Sequence, residues 1–378
     1  MNKKINRLLK GALAFTVAFS TLAVTTSTSR KVSAVEQEES YTQYVDPFVC
    51  TDVDYGQLFP GSVVPNGLVK LSPDTYPHNT LDHAGYDYSK LQIQGFSHTR
   101  IEGVGGQGAG GDVLVTPTYV EYSQRPQAQT RAMNYTKEDE SAKPGYYSVE
   151  LTPKTGKDND VKDSPEIGKI KAEMTTDQRT GFHRYTFPEA GSVNIITDLN
   201  YTYHGTDIRN AYVDVLEQSD TTTAIGGRFS GRNVSGNGKY TMYFYMETSK
   251  PANSVKTWND TTLSDKTSQK GNDIGTIMNF DVKENEEIQL KVSISPISVK
   301  QAKIDMHNEI SDWDFDAAAS RADKAWNDVL SKVRVESSEV SDPTGELKQL
   351  FYTHLYHMFM TPVNATSTSG TFRGWKDS

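Results

Sequence analysis

The strongest constraint on the fold is the residue pattern between positions 44 and 297. Short runs that alternate apolar and polar residues recur there, separated by Gly, Pro, Asn and Asp, as in β-strands joined by turns. No long stretch with a 3.6-residue apolar period interrupts them, so the sequence predicts an antiparallel β-sandwich. The polar stretches 155–167 and 255–273 are predicted to be long hairpin loops. Predicted strands include 145–151, 170–175, 181–187, 193–199, 241–247 and 288–294.

The pattern changes near Ser298. Apolar residues then recur at helical spacing and predict helices over 299–313, 315–330 and 345–360, with Asp314 as the N-cap of the second helix. The second and third helices each carry a broad apolar stripe that needs a packing partner. We therefore interpret the third helix as the beginning of a helical domain.

The first 34 residues read as an export signal. Four basic residues at positions 3–10 precede an apolar stretch at 11–24, and a small-residue cleavage site follows at 32–34. The apolar stretch is shorter than the ~20 residues that a membrane span needs, so a retained signal anchor is the less favoured interpretation. The mature chain is predicted to start at residue 35 and to be secreted, with association with the cell surface left open.

Composition narrows the classes of partner. The chain has 39 Lys and Arg against 48 Asp and Glu, a net charge of -9, and no basic run follows the signal. We therefore expect no nucleic-acid partner and, after signal cleavage, no membrane partner. The single cysteine, Cys50, excludes an internal disulfide, and we expect it to be a small buried apolar residue. The 20 tyrosines suit sugar stacking and a sandwich core equally.

Several sequence blocks follow one another in a characteristic order. They are YVDPFVCT at 44–51, PGSVVPNGLVKLSPDT at 60–75, GYDY at 85–88, GFSHT at 95–99, a Gly-rich run at 103–112, PGYYSV at 144–149, RTGFHRY at 179–185, FYTHLYH at 351–357 and FRG at 372–374. Together they resemble the N-terminal part of glycoside hydrolase family 92, the calcium-dependent exo-acting α-mannosidases, over essentially the whole mature chain. In the first block, Cys50 stands where the family usually has a glycine.

This resemblance implies a galactose-mutarotase-like sandwich, then linker helices, then an (α/α)6 barrel. The expected domains are the signal peptide at 1–34, the N-terminal β-sandwich domain at 35–297, a helical linker at 298–340, and the start of an incomplete catalytic barrel at 341–378. The active site of such enzymes lies at the junction of sandwich and barrel.

The resemblance also implies an inverting, calcium-assisted hydrolysis of terminal α-linked mannose. One carboxylic acid protonates the leaving oxygen, and one carboxylate activates water. Both carboxylates and the calcium ligands are expected on barrel segments that this chain does not contain. No catalytic or metal-binding residue is therefore assigned; calcium is expected for the complete enzyme and no cofactor for this chain alone.

The sandwich is expected to contribute to the sugar pocket at that junction. The six glycines within 103–112 permit left-handed backbone and close approach to a ligand, although a bulged hairpin explains them equally well. The predicted substrate-binding residues are His98, Gly105, Gly106, Asp112, His83 and Tyr86.

Each of these side chains has a structural alternative. His98 either hydrogen-bonds a sugar hydroxyl or orients the Gly-rich run, and Asp112 either accepts from the substrate or caps its turn. Tyr86 and Tyr88 are predicted to alternate along one strand, with core packing as their default role. By the family resemblance, Asp82 and His83 stand where many α-1,2-specific relatives carry a tryptophan, which leaves the linkage preference open.

Three hypotheses about function remain at this point. The first is the N-terminal portion of a secreted α-mannosidase that acts on mannose-containing glycans, N-glycans among them, and is poorly active alone. The second is a truncated product without function, and the third is a stand-alone carbohydrate-binding module. Exposed apolar stripes on the helices favour the first hypothesis over the third.

Overall fold

A computed structural model describes residues 39–52, 57–78, 82–101, 110–203, 209–232 and 239–374. The fold lies within the unit Ser40–Ser378, and the predicted signal at 1–34 lies outside the described residues. In the described ranges, no helix combines the length and the apolar character that crossing a membrane requires.

Alternating side chains form nineteen strands across the described ranges. They are β1 (Ser72–Thr75), β2 (Gln92–Ser97), β3 (Leu114–Thr118), β4 (Met133–Asn134), β5 (Glu140–Lys143), β6 (Tyr146–Leu151), β7 (Lys154–Lys157), β8 (Asp160–Asp163), β9 (Ile170–Thr176), β10 (Thr180–Phe187), β11 (Gly191–Asp198), β12 (Ala211–Gln218), β13 (Thr223–Arg232), β14 (Lys239–Thr248), β15 (Ser254–Asn259), β16 (Thr262–Ser264), β17 (Ser268–Gly271), β18 (Ile274–Val282) and β19 (Glu286–Ser295).

Helices are few and concentrate after the strands. The α-helices are α1 (Ala128–Arg131), α2 (Val299–Glu309), α3 (Phe315–Leu330) and α4 (Glu346–Met358). Short 3-10 helices occupy Tyr41–Tyr44, Lys137–Asp139 and Pro165–Ile167.

Two antiparallel sheets face each other. The first sheet has the order β1-β2-β3-β11-β18-β15-β16, with β4 paired to β2, and the second has the order β17-β12-β13-β14-β19-β10-β9-β6-β5. Strands β7 and β8 form a separate hairpin. This arrangement confirms the predicted class, a mainly β fold of antiparallel sheets.

One apolar core fills the space between the sheets. Fully burying each such side chain contributes about 1.5–3 kcal/mol, which explains how the fold is stable without a disulfide. Residues of this core include Ile93, Val115, Ile195, Met278 and Phe280 from the first sheet, and Tyr147, Ala172, Tyr185, Phe244 and Leu290 from the second.

Helices α2 and α3 cover the outer face of the second sheet. Met306 of α2 packs with Tyr245, and Phe315 of α3 packs with Phe182 at 5.2 Å between ring centroids. Helix α3 has the predicted bounds, and its predicted cap Asp314 accepts a hydrogen bond from the Ala317 N–H at 2.9 Å. The outer side of this sheet is therefore a helix-packing surface.

Two predicted loops are in fact strands. The stretch 155–167 contains most of the β7–β8 hairpin, and 255–273 contains most of β15 together with β16 and β17. Strands β16 and β17 lie at sheet edges, the β7–β8 hairpin lies outside the main sheets, and β15 lies next to the edge strand β16. Each of these strands has residues exposed to solvent. Polar side chains are compatible with such strands, so the polar composition of these two stretches did not indicate that they are strands.

Cys50 is exposed, which corrects the expectation that it is buried. It ends a surface turn in which the Val49 N–H donates to the Asp46 carbonyl at 3.3 Å. Its φ of 65° is left-handed, a conformation that favours glycine. This backbone would suit the glycine that the family resemblance implies at this position.

Candidate functional site

A cavity of ≈ 310 Å³ lies beside the described end of the Gly-rich run. Val363 and Ala365, from the segment that follows α4, line it together with residues of the sandwich. Mostly apolar walls with a few fixed polar groups are typical of small-molecule sites. The residues lining this Asp112 cavity are Leu68, Lys70, Thr99, Arg100, Ile101, Gly110, Asp112, Tyr240, Met242, Val363 and Ala365.

Asp112 is the polar centre of the cavity wall. Its carboxylate accepts hydrogen bonds from Arg209 Nη1 at 2.5 Å, Thr99 Oγ1 at 2.6 Å and Tyr240 Oη at 2.7 Å. The side chains of Asp112 and Arg209 are each 1% exposed. Burial lowers the pKa of Arg209, but the charge of Asp112 and the hydrogen bond to it, together with Tyr240 and Asp198, raise the pKa above its ordinary value overall. Asp112 therefore holds three segments of the wall in place.

The backbone next to Asp112 is left-handed on both sides. Gly110 has a φ of 113°, Gly111 of 88° and Val113 of 56°. A Cβ on Gly110 would lie 2.3 Å from the Thr99 carbonyl oxygen, so glycine is required there. A left-handed valine is strained, and strain of this kind concentrates at functional sites.

The predicted sugar-pocket glycines Gly105 and Gly106 lie in 102–109, outside the described residues. Of the residues near this range, Arg100 and Gly110 form an isolated antiparallel bridge, and both line the Asp112 cavity.

His98 is fully buried directly behind this wall. Its Nδ1 lies 2.7 Å from the Val113 carbonyl oxygen, and its Nε2 lies 2.9 Å from His183 Nε2. A carbonyl only accepts, so His98 donates through Nδ1 and neutral His98 must accept at Nε2. His183 then donates through Nε2 and accepts from the Tyr185 hydroxyl, 2.9 Å from its Nδ1.

These two histidines are neutral in the folded protein. Burial lowers the pKa of His98 to about 3 and holds the pKa of His183 well below its usual range. The chain of hydrogen bonds runs from Tyr185 and His183 on the second sheet to His98 and Val113 at the edge of the first. It ties the strained residue beside Asp112 to the opposite sheet.

Arg100 holds together the backbone segments at the floor of the cavity. Its guanidinium donates to the carbonyls of Lys70, Ser72, Ala84 and Ser97 at distances of 2.9–3.1 Å. Four backbone acceptors on one guanidinium bring distant segments to one point and satisfy carbonyls that burial would otherwise leave unpaired.

Asp74 adds a buried carboxyl beneath Arg100. It accepts from the Ser97 N–H at 2.9 Å, and Arg100 Nη2 lies 3.8 Å away. Burial raises the pKa of Asp74 to about 6, against the lowering effect of the Arg100 charge. The carboxyl is thus poised to change charge close to neutral pH.

His83 and Tyr86 do not line the cavity. His83 is 6% exposed, with Nδ1 3.3 Å from Gln57 Nε2. Tyr86 is fully buried in an irregular segment rather than a strand, and its hydroxyl donates to the Glu140 carboxylate at 2.8 Å. The Lys137 ammonium lies over the ring of Tyr86. The structure therefore brings His98 and Asp112 together through Val113, whereas His83 and Tyr86 lie in the segment between β1 and β2.

The sequence block at 60–75 holds the segment after α4 against the sandwich. Asn66 donates from its backbone to the Phe359 carbonyl at 2.8 Å and from Nδ2 to the Pro362 carbonyl at 2.7 Å. The Asn364 N–H donates back to the Asn66 carbonyl at 2.8 Å. These bonds set the position of Val363 in the wall.

Sequence reasoning missed several residues of this wall. Arg209 and Tyr240 lie 97 and 128 positions from Asp112 along the chain, and neither stands in a distinctive block. Lys70 and Thr99 stand within quoted blocks but gave no separate signal of a site role. Val363 and Ala365 follow the last helix, where no pattern indicates a pocket.

The described residues do not form a calcium site. No group of three His, Cys, Asp or Glu side chains in these ranges is arranged to hold a metal ion. At the cavity itself, the Asp112 carboxylate already accepts from an arginine and two hydroxyls. Calcium prefers six to eight oxygen ligands, and this wall does not offer them.

Known proteins match the chain along its length. Residues 44–295 match the glycosyl hydrolase family 92 N-terminal domain, and residues 301–378 match the glycosyl hydrolase family 92 catalytic domain. A curated relative, an uncharacterized secreted glycosidase of Arthroderma benhamiae, is 23% identical over 358 residues, covering 88% of this chain and 43% of the relative.

Solved structures show the same relationship. The family 92 glycosyl hydrolase ccman5 is 44% identical with a TM-score of 0.83, covering 88% of this chain and 43% of that one. A family 92 alpha-mannosidase of Bacteroides thetaiotaomicron is 28% identical with a TM-score of 0.76, covering 90% and 44%. The chain thus spans less than half the length of these relatives. Since the N-terminal match alone covers more than half of the chain, the protein belongs to glycosyl hydrolase family 92.

Proposed function

We propose that this chain is the N-terminal portion of a secreted α-mannosidase that removes terminal α-linked mannose from glycans, including N-glycans. Family membership supports a glycosidase, and a solved relative named an alpha-mannosidase supports mannose as the sugar. The observation that carries the proposal is the Asp112 cavity, which lies between the sandwich and the segment following α4. That is where the family resemblance implies the sugar pocket.

The exposed face of α4 supports the proposed domain boundaries, with a sandwich at 35–297, a linker at 298–340 and the start of a barrel at 341–378. Apolar side chains of this size rarely face water in one stripe without a partner. The stripe favours a portion of an enzyme over a stand-alone binding module. Its residues and exposed fractions are Leu347 at 63%, Leu350 at 44%, Phe351 at 37% and Met358 at 70%.

In this proposal the sandwich shapes the pocket and the barrel supplies the chemistry. Asp112, with Arg209, Thr99 and Tyr240, keeps the wall rigid, so that the sugar meets a preorganised surface. The general acid and the general base of an inverting displacement come from barrel segments that this sequence does not contain. The calcium of the complete enzyme is likewise held by barrel residues.

Export is part of the same proposal. The basic, apolar and small-residue pattern of 1–34 is a signal peptide in this interpretation. The curated relative from Arthroderma benhamiae is named a secreted glycosidase, which supports an extracellular location.

The test compares two proteins in one assay. Purified residues 35–378 are incubated with an aryl α-mannoside and with a mannose-rich glycan, in calcium and in a chelator. We expect no mannose release above the blank, whereas the protein secreted by its native host releases mannose in calcium. Robust release by residues 35–378 would overturn the assignment of the catalytic groups to the barrel.

A further inference from the structure

A second cavity, of ≈ 280 Å³, lies on the outer face of the first sheet. We call it the outer-face groove and define it by Glu121, Lys157, Asn194, Ser254, Lys256 and Asn279. Within the described ranges it shares no lining residue with the Asp112 cavity. The outer-face groove is therefore a site separate from the Asp112 cavity.

The floor of the groove is a row of polar side chains across three adjacent strands. Asn194 of β11 pairs in register with Asn279 of β18, which pairs with Ser254 of β15. Asn279 Nδ2 donates to Asn194 Oδ1 at 3.1 Å, and Asn194 Nδ2 donates to the Val120 carbonyl at 2.8 Å. The amides are therefore held in fixed orientations.

A wall rises over this floor because the β7–β8 hairpin docks on the segment after β3. The Glu121 N–H donates to the Gly156 carbonyl at 2.9 Å, and the Asp158 N–H donates to the Glu121 carbonyl at 2.8 Å. Lys157 lies between these two contacts. The docking thus brings a lysine from the hairpin to the edge of the sheet face.

Two lysine side chains flank the groove. Lys157 and Lys256 are both exposed, and none of the hydrogen bonds or ion pairs within the described ranges engages either ammonium. Glu121 is the acidic residue among the lining residues. Asp158 follows Lys157 in the chain, and its carboxylate accepts from the hydroxyl of Ser123, another lining residue. Two ammonium groups and two carboxylates therefore lie at the groove, and the ammonium groups remain available to an anionic ligand.

We infer that the outer-face groove binds an acidic saccharide unit, a sugar ring that carries a carboxylate. Fixed amides and serine hydroxyls are the groups that hydrogen-bond sugar hydroxyls, and the two lysines neutralise the anionic group. The volume is close to the lower end of small-ligand sites, about 300 Å³, which suits one or two rings. This site goes beyond the proposed mannose hydrolysis, since it belongs to a different face of the sandwich.

Isothermal titration of residues 35–378 tests the inference. The probes are glucuronic acid, an oligosaccharide containing glucuronic acid, and the matched neutral oligosaccharide containing glucose. Saturable millimolar binding of an acidic probe is expected, with no measurable binding of the neutral one. Binding of the oligosaccharide alone identifies a polymer ligand, whereas equal binding of the monosaccharide identifies a single sugar acid.

Two matched double variants distinguish binding at the outer-face groove from a general effect of surface charge. Lys157→Gln with Lys256→Gln should weaken acidic binding about tenfold, because each exposed ion pair contributes up to ~1 kcal/mol. Lys162→Gln with Lys266→Gln removes the same charge from exposed positions outside the groove and should leave affinity unchanged. Absence of saturable binding, equal binding of the neutral probe, or equal loss in both double variants would overturn the inference.

Discussion

His98 and His183 meet through their Nε2 atoms, 2.9 Å apart, and the groups at their other nitrogens determine which of the two donates. The Val113 carbonyl accepts from His98, so the proton between the rings belongs to His183. The Tyr185 hydroxyl must then donate to His183. Each group in this buried contact between the sheets therefore donates to the next one, from the Tyr185 hydroxyl to the Val113 carbonyl.

Replacing Tyr185 by Phe should therefore be costly. The substitution leaves the buried His183 Nδ1 without a donor, and an unsatisfied buried acceptor costs about 1–3 kcal/mol. Tyr119→Phe is the matched control, because its hydroxyl bonds to the Glu189 carbonyl in an exposed setting. Urea unfolding measures the free energy of unfolding of both variants. An equal loss in the two variants would contradict the donation from the Tyr185 hydroxyl to His183.

The neutral histidines also predict a dependence of stability on pH. The unfolded chain binds protons at these residues near the usual pKa of about 6.5, whereas the folded pKa of His98 is about 3. The unfolded state holds more protons in this window, so stability is present above pH 6.5 and is lost as pH falls toward 3. Each histidine contributes up to ~1.4 kcal/mol per pH unit.

His183→Gln isolates this contribution. Glutamine retains a donor and an acceptor but does not titrate, so the unfolding free energy should fall less steeply between pH 6.5 and 4. Urea titrations at several pH values measure the two slopes. Parallel curves for the variant and the native protein would show that His183 is not held neutral by the fold.

Asp112→Asn tests the carboxylate at the cavity. The variant keeps the shape of the side chain but leaves the buried Arg209 guanidinium without its counter-charge. Breaking a buried pair in this way costs about 3–5 kcal/mol. Asp328→Asn is the control, since its ion pair with Lys324 is exposed and contributes about 0–0.5 kcal/mol. A loss below 1 kcal/mol for Asp112→Asn, measured by urea unfolding, would refute the role given to Asp112.

Cys50→Gly should stabilise the fold. A left-handed L-residue costs roughly 1–2 kcal/mol, and glycine removes that strain while adding about 0.5–1 kcal/mol of unfolded-state entropy. We expect a net gain of about 0.5 kcal/mol in thermal or urea unfolding. Cys50→Ala keeps the Cβ and should give no gain, so stabilisation by alanine equal to that by glycine would point to the thiol instead.

Much of the fold is predictable because its pattern is local. Helix α3 follows from its apolar spacing and from the Asp314 cap, and the strands of the second sheet follow from alternation between turn residues. The β7–β8 hairpin, β16 and β17 escaped prediction because strands at or outside a sheet edge keep polar residues on their solvent side. Strand β15 pairs on both sides but carries polar Ser254 and Lys256 on its outer face. The burial of Cys50 was wrongly predicted, because the left-handed backbone, and not the hydrophobicity of the side chain, determines which residue suits position 50.

The candidate site was predictable only in part. Asp112 and His98 stand in or beside distinctive blocks, and the structure brings them together through the Val113 carbonyl. Arg209 and Tyr240 reach Asp112 from distant strands and loops, which periodicity and spacing do not encode. His83 and Tyr86 lie in the segment next to Arg100, since the Ala84 carbonyl between them accepts from the Arg100 guanidinium.

The proposal of an inverting α-mannosidase is tested most directly by the anomer that forms first. Proton NMR follows the hydrolysis of an α-mannoside by the protein as its native host secretes it, with calcium present and then chelated. We predict that β-mannose appears first, that chelation stops the reaction and that added calcium restores it. Initial formation of α-mannose, or release of another sugar with no mannose, would contradict the proposed function.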